Sequence, residues 1–143
     1  MTRRRLLISA VGVAACILIL VRVRDLMMLG YVDSAIVRVR AVTAAESQFT
    51  KTHPEVGYTC TLSQLPHDEQ IARLIVKDGK DNGYVFDIIG CQLSESKKPK
   101  SMYHVTARPL HSGLPAFCSD QSGIIRSDEG GSIEKCLTNG VPF

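Results

Sequence analysis

The sequence has no tryptophan and few aromatic side chains of any kind. Only four tyrosines and four phenylalanines occur among its 143 residues, so large rings can contribute little buried apolar area. A chain of this length suffices for one small domain and is too short for two. Small domains with a modest core commonly need additional covalent ties. We therefore expect cross-links to contribute to its stability.

Catalytic and nucleotide-binding signatures are also missing. The chain has no H-E-x-x-H, no G-x-S-x-G, no P-loop and no glycine-rich dinucleotide turn. A catalytic set would have to be drawn from His104, His111, Ser119 and Asp120, and their spacing is typical of ordinary strand and loop residues. We predict that the protein is not an enzyme, and that it has no catalytic residue and no cofactor.

The region beyond the amino-terminal segment lacks an excess of positive charge. Five of the 17 Lys and Arg residues lie at positions 3–5, 22 and 24, which leaves twelve basic and 14 acidic residues from Asp25 onward, a net charge of −2. Such a region does not attract the phosphates of nucleic acid, so we predict no nucleic-acid partner. The lysines at 97, 98 and 100 are predicted to lie in a solvated loop.

Residues 6–21 contain no charged side chain. Sixteen helical residues span about 24 Å, less than a hydrocarbon core of about 30 Å, and Arg5 and Arg22 can extend the span by reaching the headgroups. Residues 1–25 are therefore predicted to be a membrane anchor, with the membrane contacted through residues 6–21. Two alternatives stay open: a cleaved secretory signal, and a lipoprotein signal acylated at Cys16.

Beyond the anchor the chain has an even number of cysteines: Cys60, Cys91, Cys118 and Cys136. In a small extracytoplasmic domain this predicts two disulfides, and the sequence leaves all three connectivities open. No cysteine pair has C-x-x-C spacing, so no metal site is predicted. The spacing of Asp120, Asp128 and Glu129 does not match a calcium loop, and calcium binding near them is left open.

Residues 26–53 have the apolar period of an amphipathic helix. The residues that recur at intervals of three or four are Leu29, Val32, Ile36, Val39, Val42, Ala45 and Phe49. The charged Arg38, Arg40 and Glu46 are expected on its other faces. Pro54 disfavours helical geometry at the preceding residue, so the helix should end near Thr52. Residues 6–52 are then expected to form one nearly continuous helix.

Residues 54–143 change to the pattern of a disulfide-tied antiparallel sheet. We predict a short helix over 68–76, a turn over 77–83, strands over 84–89 and 102–108, and a third strand segment over 116–126 with a turn at its Ser-Gly pair. The tail from residue 127 would be loose without Cys136, which is expected to tie it back. The strands should form a meander that covers the apolar stripe of the helix. The predicted fold is α+β, with residues 26–53 and 54–143 in one domain.

Several segments resemble the type IV pilin and pseudopilin family. DSAIVRVRAVTAAESQF at 33–49, followed by Pro54, and VGYTCTL at 56–62 are similar to the family's helix and the turn after it. GYVF at 83–86, YHVTARP at 103–109 and FCSDQSGIIR at 117–126 look like its three strands. The resemblance covers about residues 30–138. It implies a long helix, embedded in the membrane in its first half, packed on a small sheet.

The amino-terminal segment departs from this family pattern. The family has a glycine, a cleavage site, an N-methylated phenylalanine and a buried glutamate near the mature amino terminus, whereas this chain has Arg4 at about the place of the glutamate. We expect that a prepilin peptidase has no substrate here. We also expect the arginines to repel the terminal amine of a neighbouring subunit.

The resemblance implies a structural role. We expect a pilin-like or pseudopilin-like protein in the inner membrane, with one pass, a cytoplasmic amino terminus and a periplasmic carboxyl-terminal domain. It would be an accessory of a type II secretion or type IV pilus system. Its partners would be pilin or pseudopilin subunits, or further copies of itself. The alternative is an anchored domain, unrelated to filaments, that binds a ligand or partner through a sheet edge or loop 94–101.

Overall fold

A computed structural model describes the backbone of residues 2–65, 78–91 and 99–143, with side chains from residue 12 onward. Within these ranges the chain forms a long helix, α1 (Thr2–Thr52), a turn of 3₁₀ helix (Leu62–Gln64), six strands and a short helix, α2 (Ile133–Asn139). The expected α+β fold of a long helix and a small antiparallel sheet is thus confirmed. The helix predicted over 68–76 and most of loop 94–101 lie outside the described residues.

Helix α1 is continuous over the predicted range and ends where predicted, at Thr52. His53 leaves the helix because it precedes Pro54, and Gly57 then turns the chain with a φ of +77°. The structure divides into two compact units, residues 1–30 and residues 31–143. The boundary falls within the helix.

In the first unit, the apolar side chains from residue 12 onward are exposed, apart from the half-buried Met28. Leu18, Leu20 and Leu26 are each about two-thirds exposed (67%, 68% and 69%). Among the helices whose side chains the structure describes, none is long and apolar enough to cross a membrane. The apolar run noted in the sequence begins at residue 6, so the side chains of its first six residues are not among those described.

In the second unit, α1 buries most of the apolar stripe that the sequence predicts. The buried apolar residues on it are Ala35, Ile36, Val39, Val42 and Ala45. Two charged residues that were expected on other faces of α1 instead contact the rest of the domain. Arg38 forms an ion pair with Asp81, and Glu46 is fully buried. The expectation that both charges point away from the packed face was therefore wrong.

The strands follow one another in an antiparallel meander, as predicted. They are β1 (Lys80–Asp81), β2 (Tyr84–Ile89), β3 (His104–Pro109), β4 (Ala116–Asp120), β5 (Arg126–Asp128) and β6 (Val141–Pro142), paired in chain order. Asn82 and Gly83 connect β1 and β2, and both have positive φ (40° and 77°). Asn-Gly suits such a two-residue hairpin turn, because both residues tolerate this conformation.

The two faces of the sheet are covered by different elements. One face contains the register neighbours Phe86, Ala107 and Phe117. Tyr103, just before β3, lies on the same face and forms a hydrogen bond with Thr43 of α1. On the opposite face Cys118 of β4 is joined to Cys136 of α2. The central strands are thus buried on both sides.

The carboxyl-terminal tail is more ordered than expected. Ser132 caps α2 by accepting the Lys135 N–H at 3.3 Å, and Cys136 is fully buried. After α2 the chain adds β6 to the edge of the sheet beside β5. The Cys136 disulfide ties the tail to β4, as expected, and the Ser132 cap and β6 add order that the sequence did not predict. The turn predicted within 116–126 is confirmed, with the Gly123 N–H bonded to the Asp120 carbonyl at 3.0 Å.

Candidate functional site

Two of the four domain cysteines form a disulfide. Cys118 and Cys136 are bonded, with their Cα atoms 6.0 Å apart. Cys60 and Cys91 are free thiols, but their side chains lie within hydrogen-bonding reach of each other. Of the three connectivities left open by the sequence, only the sequential one is compatible with the bond that is present. The second bridge stays a prediction.

The Cys91 thiol is half-buried. It donates a hydrogen bond to the Thr59 carbonyl at 2.7 Å. Burial, followed by the hydrogen bond and charge interaction with Cys60, raises the pKa of Cys91 to about 12. Since the thiolate is the reactive form, this thiol is a poor nucleophile near neutral pH. The pair is therefore suited to a structural role.

Next to this pair lies a buried carboxylate that sequence reasoning missed. Glu46 accepts the Thr59 N–H at 2.9 Å, and its other oxygen accepts the Thr59 hydroxyl. Burial raises the pKa of Glu46, partly opposed by these hydrogen bonds and by the positive charge of Lys100. The position of Glu46, one residue after Ala45 and four after Val42 on the apolar stripe, was the available signal.

Lys100 belongs to this cluster rather than to a solvated loop. Its backbone N–H and carbonyl bond to Val56 and Tyr58 across a parallel bridge centred on Gly57. A side chain at Gly57 would collide with the Lys100 backbone. The prediction for Lys100 was wrong, and the lysines at 97 and 98 lie outside the described residues. Loop 56–60 is thereby fixed between α1 and the strand region.

On the flank of α1 lies a groove of about 310 Å³, here called the polar groove. It is lined by Arg40, Thr43, Ala44, Ser47, Tyr58, Tyr103, Gln121, Ser122 and Gly123. The helix residues recur at i, i+3, i+4 and i+7 and so form one wall. The turn between β4 and β5 forms the other wall, and the two tyrosine rings lie 4.7 Å apart between their centroids.

The histidines considered for catalysis are not brought together. His104 begins β3 and His111 follows its end, so about 17 Å of strand separates them. His111 stacks on Tyr31, with ring centroids 6.3 Å apart. His104 is the register partner of Asp120, but that carboxylate is bound to Arg126 at 3.1 Å. The described residues thus give no catalytic arrangement of these groups.

The acidic residues left open for calcium are also dispersed. Asp120 lies at one end of β4, whereas Asp128 pairs with Ala116 at the other. Asp128 accepts the Ser132 N–H at 2.8 Å and so supports the start of α2. Within the described ranges no three His, Cys, Asp or Glu residues are grouped as metal ligands.

Comparisons with protein families, with curated proteins and with solved structures gave no significant match to this chain.

Proposed function

We propose that this protein is a membrane-anchored, pilin-like structural protein whose domain lies in the periplasm, as an accessory of a type II secretion or type IV pilus system. Its partners in this proposal are pilin or pseudopilin subunits, or further copies of the chain. The sequence resemblance over about residues 30–138 suggested this assignment. The long helix beside an antiparallel meander is compatible with it.

The uncovered apolar surface of the first unit carries the proposal. The large apolar side chains exposed there include Val13, Ile17, Leu18, Ile19, Leu20, Val21, Val23, Leu26, Met27 and Leu29. An exposed apolar surface of this extent marks a site for lipid or for another protein. A row of such residues around a helix suits either a bilayer or a bundle of like helices.

The disulfide supports a periplasmic location for the domain. A bond such as Cys118–Cys136 persists in an oxidising space and is rare in the cytoplasm. The arginines at positions 3–5 favour a cytoplasmic amino terminus. A single pass between these two ends then leaves residues 31–143 in the periplasm.

The test compares two variants of equal side-chain exposure. Leu20 in the first unit is 68% exposed and Val141 in β6 is 67% exposed. We expect Leu20→Arg to lower the membrane-bound fraction of the full chain severalfold, because an arginine in the apolar run costs about 2.5 to 3.5 kcal/mol on insertion. Val141→Arg should leave that fraction unchanged. Equal effects of the two variants would contradict the anchor.

Assembly requires a second measurement. A photo-crosslinking residue at Ile19 in bacterial membranes should link the chain to itself or to a co-expressed pilin or pseudopilin. The same crosslinker at Arg108, an exposed residue of β3, is the control. Crosslinks only to one unrelated protein, in fixed stoichiometry, would instead establish the anchored binding domain that the sequence left as the alternative.

A further inference from the structure

The polar groove has side chains whose hydrogen-bonding groups are not used within the described part of the domain. The exposed side chains of Arg40, Ser47 and Gln121 form no hydrogen bond or ion pair with another described residue. All three border the same groove, and they come from both of its walls. A concave site with a few convergent polar groups is the usual form of a small-molecule site, and about 310 Å³ is the lower end of the size range of such sites.

The charges around the groove disfavour an anionic ligand. Among the described residues that line it, Arg40 is the only cation. Asp120 adjoins the β4–β5 turn, and the charge of the buried Glu46 acts on Tyr103, which lines the groove. After the dominant effect of burial, both charges raise the pKa of Tyr103. Ser122 and Arg126 outweigh the effect of burial on Asp120 and lower its pKa, so this carboxylate stays ionised. A phosphate or carboxylate would meet one cation without a described partner, Arg40, because the guanidinium of Arg126 is held by Asp120.

An apolar ligand is disfavoured for a different reason. It would remove the guanidinium, the amide and the hydroxyls from water without replacing their hydrogen bonds, which is costly. The remaining class is neutral and rich in hydroxyl groups. The tyrosine pair of the groove adds a further requirement on the ligand. Tyr58 is half-buried, and its ring is tilted by 47° against that of Tyr103. An aromatic face of this kind packs against C–H groups.

We propose that the polar groove binds a pyranose ring of a neutral glycan. A pyranose has C–H groups on its faces and hydroxyls around its edge. Tyr58 contacts the C–H face, while Gln121, Ser47 and Arg40 bind the hydroxyls from the two walls. The site belongs wholly to residues 31–143, so it does not depend on filament assembly or on the membrane anchor.

Binding can be measured on the full chain in a zwitterionic detergent that contains no sugar. The probes are maltotetraose and chitotetraose as neutral glycans, and tetragalacturonate as an anionic one. The chain has no tryptophan and four tyrosines, two of which line the groove, so tyrosine emission reports directly on it. We expect a saturable change with at least one neutral glycan and none with tetragalacturonate.

Two matched pairs of variants locate the site. Gln121→Ala should weaken binding about tenfold, as expected for loss of a recognition hydrogen bond, whereas Gln48→Ala, at an exposed position of α1, should have no effect. Arg40→Ala should weaken binding, whereas Arg108→Ala should not. Saturation-transfer NMR of the sugar protons replaces fluorescence for Tyr58→Leu, which should abolish the signal.

Unchanged urea midpoints in these variants show that each still folds. The proposal is overturned if neither neutral glycan binds to the folded wild-type chain. It is also overturned if tetragalacturonate binds more tightly than the neutral probes, or if Gln121→Ala and Gln48→Ala bind alike. A tenfold difference between the two glutamine variants supports it, whatever the outcome of the crosslinking at Ile19.

Discussion

Glu46 is a carboxylate in the interior of the domain. Its carboxylate is fully buried and bound by both hydrogen-bond donors of Thr59. Burial raises its pKa above the ordinary value of 4.5. A carboxyl that binds its proton more tightly in the folded chain contributes stability below its unfolded pKa, and that contribution is lost as the pH rises through the folded pKa.

Replacement of Glu46 should therefore depend on pH. We expect Glu46→Gln to raise the free energy of unfolding at pH 7 and to leave it nearly unchanged at pH 4, where the native carboxyl is also neutral. Glutamine can still accept the Thr59 N–H, and the Thr59 hydroxyl has an alternative acceptor in the Thr61 carbonyl, 3.3 Å away. Urea unfolding at both pH values measures the difference.

Glu46→Ala is the control for this prediction. It leaves the buried Thr59 donors without their acceptor, so it should destabilise the domain by about 1 to 3 kcal/mol at both pH values. A greater loss of stability for Glu46→Gln at pH 7 than at pH 4 would show that the charged carboxylate is favourable in the fold. That result would contradict the pKa direction.

At the scale of elements, loop 56–60 is the joint between α1 and the sheet region. Its contacts are the Thr59–Glu46 hydrogen bonds, the Gly57–Lys100 bridge and the neighbouring thiols of Cys60 and Cys91. A disulfide between these thiols would join the loop covalently to Cys91, the second residue after β2. It would close a loop of about 30 residues and contribute about 3 to 4 kcal/mol on the chain-entropy model.

We expect this second bridge to form when the protein is exposed to oxidised glutathione. Two thiols lose their protons and two electrons, and each glutathione disulfide is reduced to two glutathione thiols. Intact mass and peptide mapping should then show Cys60–Cys91 beside Cys118–Cys136, with Cys16 free or bound to glutathione. In the reduced protein, Cys91 should be alkylated more slowly at pH 8 in the folded chain than in the urea-unfolded chain.

Recovery of a different pairing would contradict the observed proximity of the two thiols. Equal alkylation rates for Cys91 in the folded and the urea-unfolded chain would contradict the raised pKa of Cys91. A matched chain with Cys60→Ser should keep Cys91 mainly as a free thiol, because burial still raises the pKa of Cys91, and its free energy of unfolding should be lower than that of the bridged protein.

At the scale of the whole molecule, the division at residue 30 separates an exposed apolar helix segment from a packed domain. We expect stability to be carried by the domain. Val39→Ala, at a fully buried position of α1, should lower the free energy of unfolding by about 2 kcal/mol. Leu20→Arg should leave it unchanged. Urea unfolding followed by tyrosine emission in zwitterionic detergent tests both, and a comparable loss from Leu20→Arg would show that the units unfold together.

The local pattern of the sequence was sufficient for much of the fold. The three-to-four residue period predicted α1 to its last residue because apolar spacing and the position of Pro54 are local signals. The bounds of β2 and the Asn-Gly turn before it were predictable for the same reason. α2 was not predicted, because a short polar helix is stabilised mainly by its cap and its disulfide to a distant strand.

The candidate site depended far more on tertiary structure. The polar groove combines residues 40–47 with Tyr58, Tyr103 and the turn at 121–123, which no sequence spacing relates. The sequence period assigned Glu46 to a face other than the apolar stripe. Its burial is explained by the hydrogen-bond donors of Thr59, a loop residue 13 positions along the chain. The sequence by itself determined the helix and the meander, because these follow from local periodicity. Only the tertiary structure decided which polar groups are buried and which converge on a groove, because both depend on contacts between segments far apart in the chain.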